Sequence, residues 1–195
     1  MELRAKQFIE FAYGDQRKDK AKVLNIISEM DSYDPATDRY KKFREAMDSY
    51  EKGKISERDF LELYQSVSSN KSSGYRTLSR NYLALKEDHA LVWEGRKPIF
   101  ASFSDLSITT AWHLRAEASN QRRIIFLHFG KDQLPNKKQQ GLLTLLMLAQ
   151  PEAAGVGILN IQPGTLVTAT RLDQSDAEYL KTRAEKFIAL SKAVL

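Results

Sequence analysis

Apolar residues in the first third of the chain recur at intervals of three and four, the pattern of helices that bury one face. Leu3, Phe8, Ile9 and Ala12 share one helical face ahead of Gly14, and Val23, Leu24, Ile26, Ile27 and Met30 share another that ends before Asp31. Asp34 and Pro35 read as the N-cap and first residue of a third helix, which carries Ala36, Tyr40, Phe43, Met47 and Tyr50 and stops at Gly53. Ser56 lies three residues before Asp59 and predicts a capping box for a fourth helix, with Phe60, Leu61, Tyr64 and Val67 facing inward. These aromatic stripes read as core.

The run SVSSNKSSG lacks apolar periodicity and predicts a linker over residues 68–75, separating a helical subdomain (1–67) from an α/β domain (76–195). Beyond it Thr77 is the expected cap of a helix with Leu78, Tyr82 and Leu85. The pattern then changes to short apolar runs. HALVWEG, KPIFASFS, LSITTAWHL and RRIIFLHFG carry the β-branched and aromatic residues of strands, with a first hairpin expected at Gly95. A helix over 136–149, a hairpin GVGILNIQPGTLVTAT turning at Pro163 and Gly164, and a last helix over 175–193 complete the order. The expected fold is α+β: a helical N-terminal subdomain followed by a mixed β-sheet flanked by helices.

Composition narrows the function classes. With 42% hydrophobic and 28% charged residues the chain has ordinary globular usage, which excludes collagen-like, coiled-coil and wholly disordered classes. No apolar run approaches a membrane span and no secretory core follows Met1, so a cytoplasmic location without membrane association is expected. Zero cysteines exclude disulfides and thiolate chemistry, and three histidines (His89, His113, His128) are too few for a histidine cage. The net charge of +5 lies wholly beyond Tyr75, because residues 1–75 hold 14 basic and 14 acidic side chains. Arg122, Arg123, Lys131, Lys137 and Lys138 form its densest basic group. That group is the candidate nucleic-acid contact, strengthened by the free N–H groups of the helix start near Lys137 and Lys138.

No P-loop, no G-x-S-x-G nucleophile turn and no complete dinucleotide-binding glycine motif occurs. One constellation is more specific. Phe103-Ser104-Asp105-Leu106 ahead of a strand, RRIIFLHFGK ending at Lys131, and the helix NKKQQGLLTLLMLA resemble, over 77–170, the core of the restriction-endonuclease-like PD-(D/E)XK nucleases. That resemblance implies a helix, a strand meander in which an Asp and a later acid-x-Lys converge, and a following helix. It assigns Asp105 and Lys131 to a catalytic site and Mg²⁺ as the cofactor.

The chain departs from the pattern at Phe129, where the second acid belongs; a phenyl ring offers no oxygen to a hard cation. Alternation sets His128 on the face opposite Phe129, whereas Glu117 is a further oxygen donor from the neighbouring strand. An active nuclease would use Asp105, Glu117 and Lys131, with Asp105, Glu117 and His128 as the alternative metal ligands. The preferred expectation is a catalytically degenerate member without metal, acting as a module that binds nucleic acid (DNA or RNA) or another partner. A protein-interaction module that uses the helical half as its surface is the other alternative.

Overall fold

The computed structural model describes residues 1–30, 38–118 and 121–194. A short strand β1 (Glu2–Arg4) leads into α1 (Ala5–Ala12) and α2 (Asp19–Met30), followed by α3 (Lys41–Glu51), α4 (Glu57–Leu61) and the long α5 (Ser69–Asp88). Three strands come next, β2 (Leu91–Phe103), β3 (Leu106–Ala118) and β4 (Gln121–His128), then α6 (Asn136–Ala149), β5 (Gly155–Asn160), β6 (Thr165–Ala169) and α7 (Gln174–Lys192). The architecture is α+β, and the strands build one mixed sheet. β2, β3 and β4 form an antiparallel meander, β5 lies parallel to β4, β6 runs antiparallel to β5, and β1 lies parallel to the start of β3. Parallel strands need a returning connection, and α6 supplies it between β4 and β5.

Alternation along β4 and β5 divides the interior into two cores. Ile124, Val156 and Ile158 pack with Phe8, Phe11, Leu142, Leu146 and Phe187 from α1, α6 and α7. Ile125, Leu127 and Leu159 point the other way, into Phe43, Met47, Phe60, Leu78 and Tyr82 from α3, α4 and α5. The first helices therefore do not make a subdomain of their own: α1 and α2 cover one face of the sheet, α3 and α4 the other, and β1 is one of its strands. The boundary expected at residue 67 is not where the packing divides.

Local signals account for several elements as read. Ser56 Oγ accepts from the Asp59 N–H at 3.1 Å and the Asp59 carboxylate accepts from the Ser56 N–H at 3.0 Å, which completes the capping box. Gly53 ends α3 with φ +66°, the left-handed conformation that glycine adopts without penalty. The Asp34–Pro35 cap falls outside the described residues.

Two expectations are corrected. Residues 68–75 are no linker but the opening turns of α5, since Tyr75 is buried at 2% exposure and its hydroxyl donates to the Arg39 carbonyl at 2.7 Å. The stripe Tyr75, Leu78, Tyr82, Leu85 starts upstream of Thr77, and once those rings are buried the polar residues before them continue the helix into solvent. Gly95, in turn, makes no hairpin. It lies within β2 at φ +81°, where the register with β3 shifts between Trp93 and Lys97. The chain turns at Ser104–Asp105, with Ser104 at φ +49° and Phe103 paired with Leu106. The long hairpin feeds both cores: Leu91 and Trp93 join the α3–α5 side, whereas Ile99, Ala101, Leu106 and Ile108 near its tip join the α1–α6–α7 side.

Candidate functional site

The residues expected to hold a metal lie far apart. Asp105 occupies the tip of the β2–β3 hairpin, where its carbonyl accepts from the Met1 amino group at 2.9 Å and its carboxylate pairs with Lys192 Nζ at 3.0 Å. Glu117 sits at the other end of β3, in register with Arg122; twelve residues of strand separate it from Asp105, about 40 Å at ~3.3 Å per residue. Lys131 follows the end of β4. Extending the β3–β4 register sets His128 level with Ala111, six residues or about 20 Å short of Asp105. Neither Asp105, Glu117 and Lys131 nor Asp105, Glu117 and His128 converge. Among the described residues no three His, Asp or Glu side chains could share an ion. As placed, Asp105, Glu117, His128 and Lys131 do not together fit Mg²⁺.

Phe129, where the resemblance expects an acid, is a packed aromatic side chain. Its ring stacks on Tyr40 at 5.7 Å between centroids, meets Phe43 edge-on at 5.8 Å, and carries the Arg44 guanidinium at 5.8 Å. Its carbonyl accepts from Gln162 Nε2 at 2.7 Å. The position is packing, tied to the turn between β5 and β6.

The basic group is also divided. Arg122 and Arg123 stand at the start of β4, whereas Lys131, Lys137 and Lys138 lie beyond its other end, so eight residues of strand, roughly 25 Å, separate the two halves. Arg123 is half-buried and its Nε meets no hydrogen-bond partner among the described residues. Lys138 pairs with Glu10 of α1, whereas Lys131 and Lys137 are exposed. The first N–H groups of α6, from Asn136 to Lys138, have no partner within the helix, which begins its hydrogen bonding with Gln139 N–H to the Pro135 carbonyl at 3.0 Å.

At this same end of the sheet lies a constellation that the sequence reading missed. His128 of β4, Asn160 of β5 and Thr165 of β6 are register partners and form a polar row across three strands. Asn160 is fully buried, and neither its Oδ1 nor its Nδ2 has a partner among the described residues; the Thr165 hydroxyl is in the same condition. His128 Nε2 lies 3.2 Å from the Asp132 carbonyl, and burial, helped by nearby Lys6, holds its pKa below the ordinary imidazole value. Asn160 ends an apolar run just before Pro163–Gly164, so its pattern is that of any turn-flanking asparagine. Only pairing with His128 and Thr165 distinguishes it.

No family model matches the chain, and no curated protein matches it. Among solved structures it is similar to SSO0001, at 14% identity and a TM-score of 0.41 over 86% of this chain and 84% of that one. No helix among the described residues is long and apolar enough to cross a membrane.

Proposed function

We propose that this chain is a cytoplasmic, catalytically degenerate relative of the PD-(D/E)XK nucleases that binds nucleic acid without cleaving it. The observation that carries the reading is Phe129. It stands where acid-x-Lys would place its carboxylate, on the strand after the meander and before α6, yet it is built into an aromatic cluster with Tyr40 and Phe43. The order α5, β2–β3–β4, α6 is the order that the resemblance implies. A scaffold of this kind with its acid position converted to core keeps a surface for phosphates and loses the ion that would activate water. The end of β4 that carries Lys131, Lys137 and the start of α6 is the contact surface of choice, because two exposed ammonium groups there flank free helix N–H donors.

Fluorescence anisotropy with single- and double-stranded DNA and RNA across a salt series tests the reading, alongside a cleavage assay in Mg²⁺ and Mn²⁺. The expected result is binding that weakens linearly on a log–log salt plot, with a slope of roughly −0.7 to −0.9 per phosphate neutralised, and intact substrate. Absence of binding at low salt, or metal-dependent cleavage, overturns it.

A further inference from the structure

Buried polar side chains are almost always hydrogen-bonded, because an amide removed from water without a partner costs about 1–3 kcal/mol by mutational measures. Asn160 has both amide atoms in that state, and Thr165 beside it has its hydroxyl in that state. Neighbouring strands lie about 4.7–4.9 Å apart, so the register partners His128, Asn160 and Thr165 form one continuous polar strip. Asn160 alternates with Val156 and Ile158, which face α6. As the return connection between parallel strands, α6 runs opposite to them, and its first turn lies over their carboxyl ends. The buried Gln139 of that turn donates to the Leu134 carbonyl, and Asp132 of the same loop meets His128.

We infer that this strip is a subsite for a phosphate monoester, with Asn160 at its centre and the start of α6 above it. The donors are Asn160 Nδ2, the Thr165 hydroxyl and the first N–H groups of α6, with Lys131 and Lys137 supplying positive charge at the rim. The acceptors decide the ligand class. His128 Nε2 faces a carbonyl and therefore carries the proton, which leaves Nδ1 of the neutral ring as an acceptor, alongside Asn160 Oδ1. An internal phosphodiester has no proton to give either of them. A phosphate monoester, whose second pKa is about 6, retains one in its monoanion and satisfies both kinds of group. Half-buried His128 and Thr165 flank the buried Asn160 and provide the approach. Where the phosphate is carried by a strand end, the inference rests on the nucleic-acid reading above; where it is carried by a free nucleotide it does not.

The test uses the full chain with inorganic phosphate, adenosine 5′-monophosphate against adenosine, and one oligonucleotide with and without a terminal phosphate. The variants are Asn160→Leu and Thr165→Val. Phosphate and the monophosphate are expected to move the Asn160 side-chain amide and His128 ring resonances, and the phosphorylated strand to bind about tenfold tighter than its hydroxyl counterpart, the worth of a hydrogen bond to a charged group. Each variant should remove that preference and leave the affinity of the hydroxyl strand unchanged. Asn160→Leu, which removes an unpartnered amide, should keep or raise the urea midpoint, and Thr165→Val carries the test should the leucine variant fail to fold. Monophosphate binding with no strand binding supports the subsite and removes the nucleic-acid reading. Strand binding indifferent to the terminal phosphate keeps that reading and overturns the subsite, as does binding that both variants leave intact.

Discussion

Phe129 and Tyr40 stack with their ring centroids 5.7 Å apart and their planes inclined by 26°, joining the chain just after β4 to the start of α3. The contact belongs to the core formed by α3, α4 and α5, so residue 129 is held by packing on one face of the sheet, while His128, its neighbour, serves the other face.

Phe129→Glu should therefore unfold the protein before it creates a metal site. Loss of a packed ring costs about 3 kcal/mol or more, and a carboxylate among Tyr40 and Phe43 adds a desolvation penalty. A urea titration is expected to show the lowered midpoint, with no Mn²⁺-dependent cleavage by whatever fraction stays folded. A stable variant that cleaves would show that residue 129 reaches a site after all.

Asp19 of α2 and Arg183 of α7 form a bidentate ion pair at 2.9 and 2.8 Å, both side chains 4% exposed, with Lys186 at 3.0 Å from the same carboxylate. Burial alone would raise the Asp19 pKa, but the hydrogen bonds and charges of Arg183 and Lys186 outweigh it and hold the carboxyl below its usual range. A depressed folded pKa contributes stability that is present above the unfolded value and is lost as pH falls through the folded one. Wild-type Tm should drop steeply below about pH 4, and Asp19→Asn should flatten that slope. Arg183→Leu, which leaves the buried Asp19 carboxylate with Lys186 as its remaining charged partner, should cost about 3 kcal/mol at pH 7. An unchanged Tm for Arg183→Leu would show that the pair adds nothing.

The two basic ends of β4 should be separable in binding. Lys131→Glu with Lys137→Glu removes two ammonium groups beside the start of α6 and should lower the salt slope by about 0.7–0.9 for each phosphate that is no longer neutralised. Lys138→Glu breaks a pair with Glu10 and replaces a charge already neutralised, so its slope should change less. Equal slopes for all three substitutions would place the nucleic acid elsewhere on the molecule.

Ser56→Ala removes the acceptor for the Asp59 N–H and half of the capping box of α4, and should cost about 1 kcal/mol by urea denaturation. Because Phe60 lies fully buried in the next turn of the same short helix, a fluorescence probe on α4 should report the loss together with global unfolding.

Where a signal is carried by adjacent residues, the sequence alone determined the outcome. Ser56 and Asp59 cap α4 from three residues apart, Gly53 ends α3, Gly164 turns β5 into β6 at φ +71°, and the spacing of Tyr40, Phe43 and Met47 puts one face of α3 inside. Each of these depends on local sterics or on a hydrogen bond within one turn. The absence of an acid at residue 129 was legible in the same way. Tertiary structure alone decided the rest. Gly95 is equally suited to a turn and to a bulge, and pairing with β3 selected the bulge and moved the turn to Ser104–Asp105. The serine-rich start of α5 has no helical pattern of its own and is helical because Tyr75 and Leu78 are buried behind it. Asp105 and Glu117, two of the candidate metal ligands, lie at opposite ends of β3, with His128 level with Ala111 between them, because an antiparallel register assigns positions by the sum of residue numbers across two strands. That sum is set by long-range contacts. Asn160 acquired its place between His128 and Thr165 by the same rule, through pairings that no short window of the chain encodes.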